Sequence, residues 1–484
     1  MPHHKLRIAL CFPGTREGLH NLDMPLGILQ IGTILHKEGY TVRLFDSLFE
    51  NDLRNTKRGL KGFKPDVVGI STLSCFLENS ARLIKYSKRK LGAVTIMGGP
   101  HATAEPDVVK IIRGLDYAVI GEGEATILEL LNFIEMKRLR ERKKKIEKPV
   151  PESTDPASIK GIAFLRNGGL VITEPRAFID DLDSLPIIKR DLIPTLNQFL
   201  AGGVLNILAV RGCPYNCSFC QPMLRKLFGS RLRYRSPENV VKEIEHIIRE
   251  FDIHYFAFND ESFTANVEWL RRFERLIRKK GLNFRCTAQT RVNLFSKKAA
   301  RLLKKINCDI LGLGVESGSQ EILNNLRKGI TIKQIKRAFR ICKRYGIRTH
   351  AYFMLGSPGE TKKTLRATEK LIDRIDPDTI GISLLVPTPG SDLYDIYKKS
   401  ENMGISDYSE YSYYSYTRKG LAIKNPELSY NDLMEFKDSI FRKRRLKAML
   451  STGTYALKTF AADPSLKRLM SYYHRYKIFR DHIG

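Results

Sequence analysis

The stretch LNILAVRGCPYNCSFC, residues 205–220, decides how this chain is read. Its first part, Leu205 to Val210, is a short apolar run of the kind that forms a buried strand; the loop after it carries Cys213, Cys217 and Cys220. Downstream, strand and helix patterns alternate as far as Pro389, with strands at Tyr255 to Phe258, Phe284 to Ala288, Ile310 to Val315, Arg348 to Leu355 and Thr379 to Leu385. Six successive βα units predict a partial barrel rather than a complete eightfold one. The three thiols then stand at the mouth where the strands end, which is where barrel enzymes do chemistry.

Eight cysteines in 484 residues are too sparse for a disulfide scaffold, so the crowding of three into one loop points to metal. Zinc sites favour two-residue spacings in pairs with a fourth Cys or His nearby, a pattern this loop lacks. Iron–sulfur clusters are held by thiolates, and a cubane ordinarily takes four. A loop that supplies three leaves one iron open to chelate an amino-acid-like molecule. Cys11, Cys75, Cys286, Cys308 and Cys342 lie in apolar contexts and are read as packing residues; Cys286 is the least settled, because its strand points to the barrel mouth.

Upstream, Lys5 to Glu135 alternates short β-branched runs with helical patterns, predicting βαβ units on a parallel sheet. Strands are read at Leu6 to Phe12, Thr41 to Asp46, Val67 to Ser71, Val94 to Met97 and Tyr117 to Ile120, each closed by a loop rich in Gly, Ser or Pro. The apolar run near the N-terminus reads as the first of these strands rather than as a signal peptide. The segment KRLRERKKKIEKP, which follows Met136 and ends at Pro149, is too charged for a core and reads as a solvated helix end and linker. Asn167-Gly168-Gly169 between two apolar runs predicts a hairpin. Beyond Asp392 the pattern turns helical and basic, with Arg442 to Arg445 and the aromatic residues Tyr472, Tyr473, Tyr476 and Phe479.

The three-then-two spacing of the cysteines, with Phe219 before the last, resembles the radical S-adenosylmethionine superfamily. That resemblance implies a 4Fe-4S cluster on Cys213, Cys217 and Cys220, with S-adenosylmethionine met by Phe219, by Asp260 and Glu261 after the second barrel strand, and by Glu316 and Ser317 after the fourth. Gly356-Ser-Pro-Gly-Glu360-Thr361 resembles the loop with which the superfamily turns from strand into helix, Thr361 being placed to cap that helix.

The N-terminal part resembles the cobalamin-binding domain of the cobalamin-dependent branch. Four segments carry the likeness: Asp23 to Gly27 with Pro25, Leu26 and Gly27; Ser71-Thr72-Leu73-Ser74; Gly98-Gly99-Pro100-His101; and Gly121-Glu122-Gly123. No histidine stands in the Asp-x-His-x-x-Gly arrangement that ligates cobalt from below, so His101 is expected to be a hydrogen-bonding residue and not an axial ligand. The implied α/β architecture is a doubly wound, Rossmann-like cobalamin-binding domain over 1–135, a charged linker and hairpin over 136–200, a partial (β/α)6 radical barrel over 201–392 and a helical, basic region over 393–484 that closes the substrate site, together with the aromatic stretch Tyr408 to Tyr416.

The implied activity is C-methylation of an unactivated carbon through a 5′-deoxyadenosyl radical and methylcobalamin. Ring formation, oxidation or rearrangement without methyl transfer is the alternative within the same branch. An RNA-modifying methylthiotransferase fits the charge, but that family brings three further N-terminal cysteines and a C-terminal β-barrel, whereas here there are Cys11 and Cys75 and a helical pattern. The 82 Lys and Arg against 52 Asp and Glu leave a net charge of +30, which favours an anionic partner. A lipid at an anionic membrane surface suits it, as does a phosphorylated or peptide small-molecule substrate; nucleic acid is not expected. An electron donor such as flavodoxin or ferredoxin is implied by the radical chemistry. No stretch approaches the roughly 20 apolar residues of a membrane span, and a cytoplasmic enzyme, peripheral to the inner face of the membrane, is expected.

Overall fold

The computed structural model describes residues 5–14, 23–50, 52–143, 155–220, 225–404 and 420–445. The chain forms two compact units, one of residues 1–19, 25–196 and 221–230, the other of residues 20–24, 197–220 and 231–484.

The first unit is built on β1 (Arg7–Phe12), β2 (Thr41–Asp46), β3 (Val67–Ser71), β4 (Val94–Gly98), β5 (Tyr117–Val119), β6 (Ile162–Arg166) and β7 (Gly169–Ile172). Their order is β2-β1-β3-β4-β5-β6-β7, the first five parallel and the last two antiparallel. Ile8, Ala9, Leu10 and Cys11 are all buried, as strands covered on both faces require. The chain steps from β1 to β2 on one side and returns to β3 on the other, so the ends of β1 and β3 part at a switch point where such sheets take their ligands.

The hairpin read with the linker completes this sheet: β6 pairs with β5, and Asn167 (φ 51°) with Gly168 (φ 80°) forms a turn with both central residues left-handed. Turn chemistry is local and legible, whereas the strand edge on which a hairpin docks is not. The helix Gly123–Lys143 runs on through the start of the charged segment, and Arg138 anchors it by pairing with Asp66. Residues 144–154 lie outside the described residues.

In the second unit β8 (Leu205–Ile207), β11 (Tyr255–Phe258), β12 (Arg285–Arg291), β13 (Cys308–Glu316), β14 (Arg348–Leu355) and β15 (Thr379–Leu384) lie side by side in chain order, all parallel. The connecting helices Pro237–Phe251, Val267–Lys279, Lys297–Lys305, Ile332–Tyr345 and Lys362–Ile375 each begin with a polar cap, Ser236, Asn266, Ser296, Thr331 and Thr361, that accepts a backbone N–H from the first turn. Thr361 thus takes the capping position its motif suggested.

The expected strand Leu205 to Val210 is broken in two. Asp260, at the end of β11, accepts the backbone N–H groups of both Ala209 (2.9 Å) and Val210 (2.7 Å), so the chain leaves the sheet after Ile207. It resumes as β9 (Val210–Arg211), which pairs antiparallel with β10 (Arg233–Tyr234). The cysteine loop is the excursion between these two short strands.

Candidate active site

Both shoulders of the cysteine loop are fastened to the barrel. Ser218 donates its backbone N–H to Leu326 (3.0 Å) and accepts that of Leu393 (3.0 Å), while Cys220 closes a turn on Cys217 (3.1 Å). Between them Phe219 packs on the apolar group Ile322, Leu326, Met354, Leu385, Leu393 and Ile423. Phe219 is thereby an anchor of the loop, with the Lys328 ammonium 5.5 Å from its ring centroid.

All three thiols are free. Burial pushes Cys220 up to about 12 and raises Cys213, with the charge of Glu261 adding to both, while Arg291 acts the other way on Cys213 and Lys328 on Cys220. Thiols held protonated by burial are poor nucleophiles; bound metal deprotonates them outright, so the donor set suits a metal centre. Among the described residues no three His, Cys, Asp or Glu come together closely enough to hold a single ion. A polynuclear cluster does not require its ligands to converge on one point, because its own atoms fill the space between them.

Two buried cations, Lys328 and Arg291, reach side chains of the loop. Lys328 donates to Glu316 Oε1 (2.5 Å), and Gly314 keeps this pair in place, since a Cβ there would lie 2.9 Å from both charged groups. Glu316 is left-handed (φ 65°) at a bulge of β13, a strained setting that turns its carboxylate toward Lys328. Arg291, the last residue of β12, donates to Cys217 Sγ (3.3 Å), stacks on the Tyr215 ring (3.6 Å) and bonds the Lys328 carbonyl. Asn293 donates to the Tyr215 hydroxyl (3.2 Å).

Glu261 is exposed, yet the protein around it raises its pKa against the opposing pull of Lys328. Asp23 accepts from Asn259 (3.0 Å), and burial with the charges of Glu261, Asp23 and Glu316 pushes the Tyr352 hydroxyl up. Glu261, Glu316 and the cysteine loop are thus gathered on one side of the barrel.

Two expected contacts are not brought to that side. Asp260 is 2% exposed and spends one oxygen on the bend at Ala209 and Val210. Ser317 is fully buried against Thr368 (3.3 Å), facing the helix Lys362–Ile375. Cys286 is buried, as the packing reading has it: although its strand runs to the barrel mouth, it lies at the start of β12, in register with Cys308, at the end away from the cysteine loop. Position along the chain identified the strand ends, but which way each side chain turns depends on neighbours far off in sequence.

In the first unit the segments singled out lie at the ends of neighbouring strands. Thr72 donates its backbone N–H to Gly98 and accepts that of His101, tying the loops after β3 and β4 together. Gly99 (φ 91°) lies so near Ser71 and Thr72 that a Cβ would meet them at 3.1 Å, whereas a Cβ on Gly27, at the start of the helix Leu26–Lys37, would meet nothing within 4 Å. Pro25 caps that helix and Leu26 is buried in it. Gly121 (φ 77°) donates to Thr103, and Gly123 opens the following helix. Open space lies beside the backbone at Gly27 and Gly121, whereas Gly99 is held close against the loop after β3.

Several side chains there face inward. Thr72 bonds Ser80 (2.9 Å), Glu122 accepts the Ile179 N–H (2.7 Å), and His101 is 1% exposed and bonded to Ser74 (3.0 Å). Burial lowers His101 to about 4, so it is neutral. It is a loop-fastening residue, as its sequence context suggested.

Arg291, Lys328, Tyr215 and Asn293 escaped sequence reading. The available signal was a charged residue closing the otherwise ordinary strand β12.

Residues 207–372 match the radical SAM superfamily and residues 21–131 the B12 binding domain. An uncharacterized methyltransferase of Pyrococcus horikoshii is 30% identical over 81% of this chain and 83% of its own length. An anaerobic magnesium-protoporphyrin IX monomethyl ester cyclase of Rubrivivax gelatinosus is 28% identical over 84% of this chain and 71% of its own. Among solved structures, the radical S-adenosylmethionine methyltransferase TsrM of Kitasatospora setae, with tryptophan and a SAM analogue bound, has a TM-score of 0.68 at 23% identity, covering 81% of this chain and 76% of that one. At that identity the likeness is one of fold.

Proposed function

The chain belongs to the radical S-adenosylmethionine enzymes that carry a B12 binding domain, and from that premise we propose that it methylates an unactivated carbon of a small-molecule substrate. The observation that carries this reading is the pairing, in one chain, of a three-cysteine loop at the barrel mouth with a sheet whose strand ends are walled by glycine. When bound, the cluster supplies the electron that cleaves S-adenosylmethionine, and cobalamin serves as the methyl carrier.

The chain's own residues bind and orient. Cys213, Cys217 and Cys220 would hold the cluster, three thiolates where a cubane ordinarily takes four, which would leave it able to bind S-adenosylmethionine. Glu261, an exposed carboxylate, would receive its amine, and Glu316, steadied by Lys328, would meet its ribose. Asp260, Phe219 and Ser317 act as supports: the first fixes the bend before the loop, the second its apolar footing, the third the turn after β13. Pro25, Leu26, Gly27, Ser71, Gly98, Gly99, Gly121 and Gly123 form the backbone walls for cobalamin, with Thr72, Ser74, His101 and Glu122 bracing the loops behind them.

The substrate class that fits the charge of +30 is a lipid or a phosphorylated small molecule, taken from an anionic membrane surface in the first case. A flavodoxin or ferredoxin is the class of donor that would reduce the cluster. The test is anaerobic incubation of the loaded protein with a reductant, a cell extract of small molecules and lipids, and S-adenosylmethionine bearing a trideuterated methyl group. Label on carbon in a new product supports methylation. The likeness to a cyclase favours one second reading, reaction without methyl transfer, which a new product free of label would establish in its place.

A further inference from the structure

Arg291 stands out among the charged groups of the second unit because one of its bonds is to a sulfur. Its Nη1 donates to Cys217 Sγ at 3.3 Å, its guanidinium lies 3.6 Å from the Tyr215 ring centroid, its Nε reaches Asn293 (3.4 Å) and its Nη2 the carbonyl of Lys328. The residue is 7% exposed and ends a seven-residue strand, so the fork is held by a rigid element rather than by a loop. Lys328, also buried beside the loop, is neutralised by Glu316. Among the described residues Arg291 has no carboxylate at ion-pair distance, and its charge is directed at the thiol loop.

We propose that Arg291 is a positioning residue that sets the reduction potential of the cluster, its fixed cation and N–H donor on Cys217 favouring the reduced state. This rests on the reading that the three cysteines hold an iron–sulfur cluster. The electron that reduces such a cluster adds negative charge to its sulfurs, and hydrogen bonds to sulfur together with nearby fixed charge are the levers by which a protein moves the potential. A guanidinium cannot lose its proton here, and a buried one is screened far less than one in water. The stack on Tyr215 ties the same group to the middle of the loop, so that one residue holds the loop's shape and its charge together.

The test is EPR-monitored redox titration of the anaerobically reconstituted protein, as wild type, Arg291→Gln and Arg291→Lys. Glutamine is expected to shift the reduction equilibrium toward the oxidised cluster by roughly tenfold, or about 59 mV for one electron, with lysine between it and wild type. Because glutamine can weaken iron retention, the wild-type protein labelled with heavy nitrogen in arginine is measured alongside. Pulsed EPR of its reduced cluster should show coupling to an arginine nitrogen. A glutamine variant that holds its cluster at the wild-type potential overturns the proposal, as does the absence of that coupling. A wild-type protein that binds no iron and sulfide at all overturns the cluster reading with it, so the two failures are told apart.

Discussion

Phe219 and the backbone of Ser218 fasten the cysteine loop to the barrel, so its footing does not rest on the thiols, of which Cys213 is buried and Cys217 and Cys220 are half-buried. Cys213→Ala is therefore expected to lower bound iron at least tenfold while leaving far-UV circular dichroism and the unfolding midpoint nearly unchanged. A variant that kept its iron would contradict the assignment. Asp260 offers a second prediction. Burial raises its pKa from 3.8 to about 7, against the pull of the two amides it accepts, and its second oxygen has no partner. The folded state holds this proton more tightly than the unfolded one, so the stability the group contributes is fully present below about pH 4 and is lost as pH rises through 7. At about 1.4 kcal/mol per unit the effect is of order a few kcal/mol. Asp260→Asn should gain in thermal midpoint relative to wild type between acid and pH 8; a constant difference between the two would refute the account.

At the scale of elements, close approach governs the turn after β13. A Cβ on Gly318 would collide with the Ala367 carbonyl oxygen and Thr368 Cα, both backbone atoms of the helix Lys362–Ile375. Gly318→Ala should cost at least ~2 kcal/mol, in the range of overpacking, and lower the thermal midpoint by several degrees. An unchanged midpoint would mean that the helix yields. Elements were readable where one principle dominated. The strands Thr41–Asp46, Val67–Ser71, Tyr255–Phe258 and Arg348–Leu355 fall where their apolar runs fall, and the Asn167-Gly168 turn where its left-handed residues demand. The run Leu205 to Val210 was misread because the carboxylate that bends it comes from Asp260, 51 residues beyond Ala209. The crowding of three cysteines in one loop was legible from the sequence. Arg291 was not, because 74 residues separate it from Cys217 and only the parallel order of β8, β11 and β12 brings it to the loop. Asp260, Glu261, Glu316 and Ser317 were found as strand-end residues. Which of them turn inward, as Asp260 and Ser317 do, and which stay on the side of the cysteine loop is a property of the packed barrel.

Charge and cofactor content belong to the whole molecule. No helix among the described residues is long and apolar enough to cross a membrane, and the aromatic stretch Tyr408 to Tyr416 and the tail beyond Arg445 lie outside the described residues. If the excess of 82 basic over 52 acidic residues serves an anionic surface, binding to vesicles should need anionic lipid and weaken steadily with salt. Equal binding to neutral vesicles would contradict that use of the charge. The central claim is that one chain holds two cofactors, and it is tested most directly by anaerobic purification with cobalamin supplied, followed by quantification of iron, sulfide and cobalamin. The account predicts about four irons and about one cobalamin per chain. A full cluster with no cobalamin would contradict it.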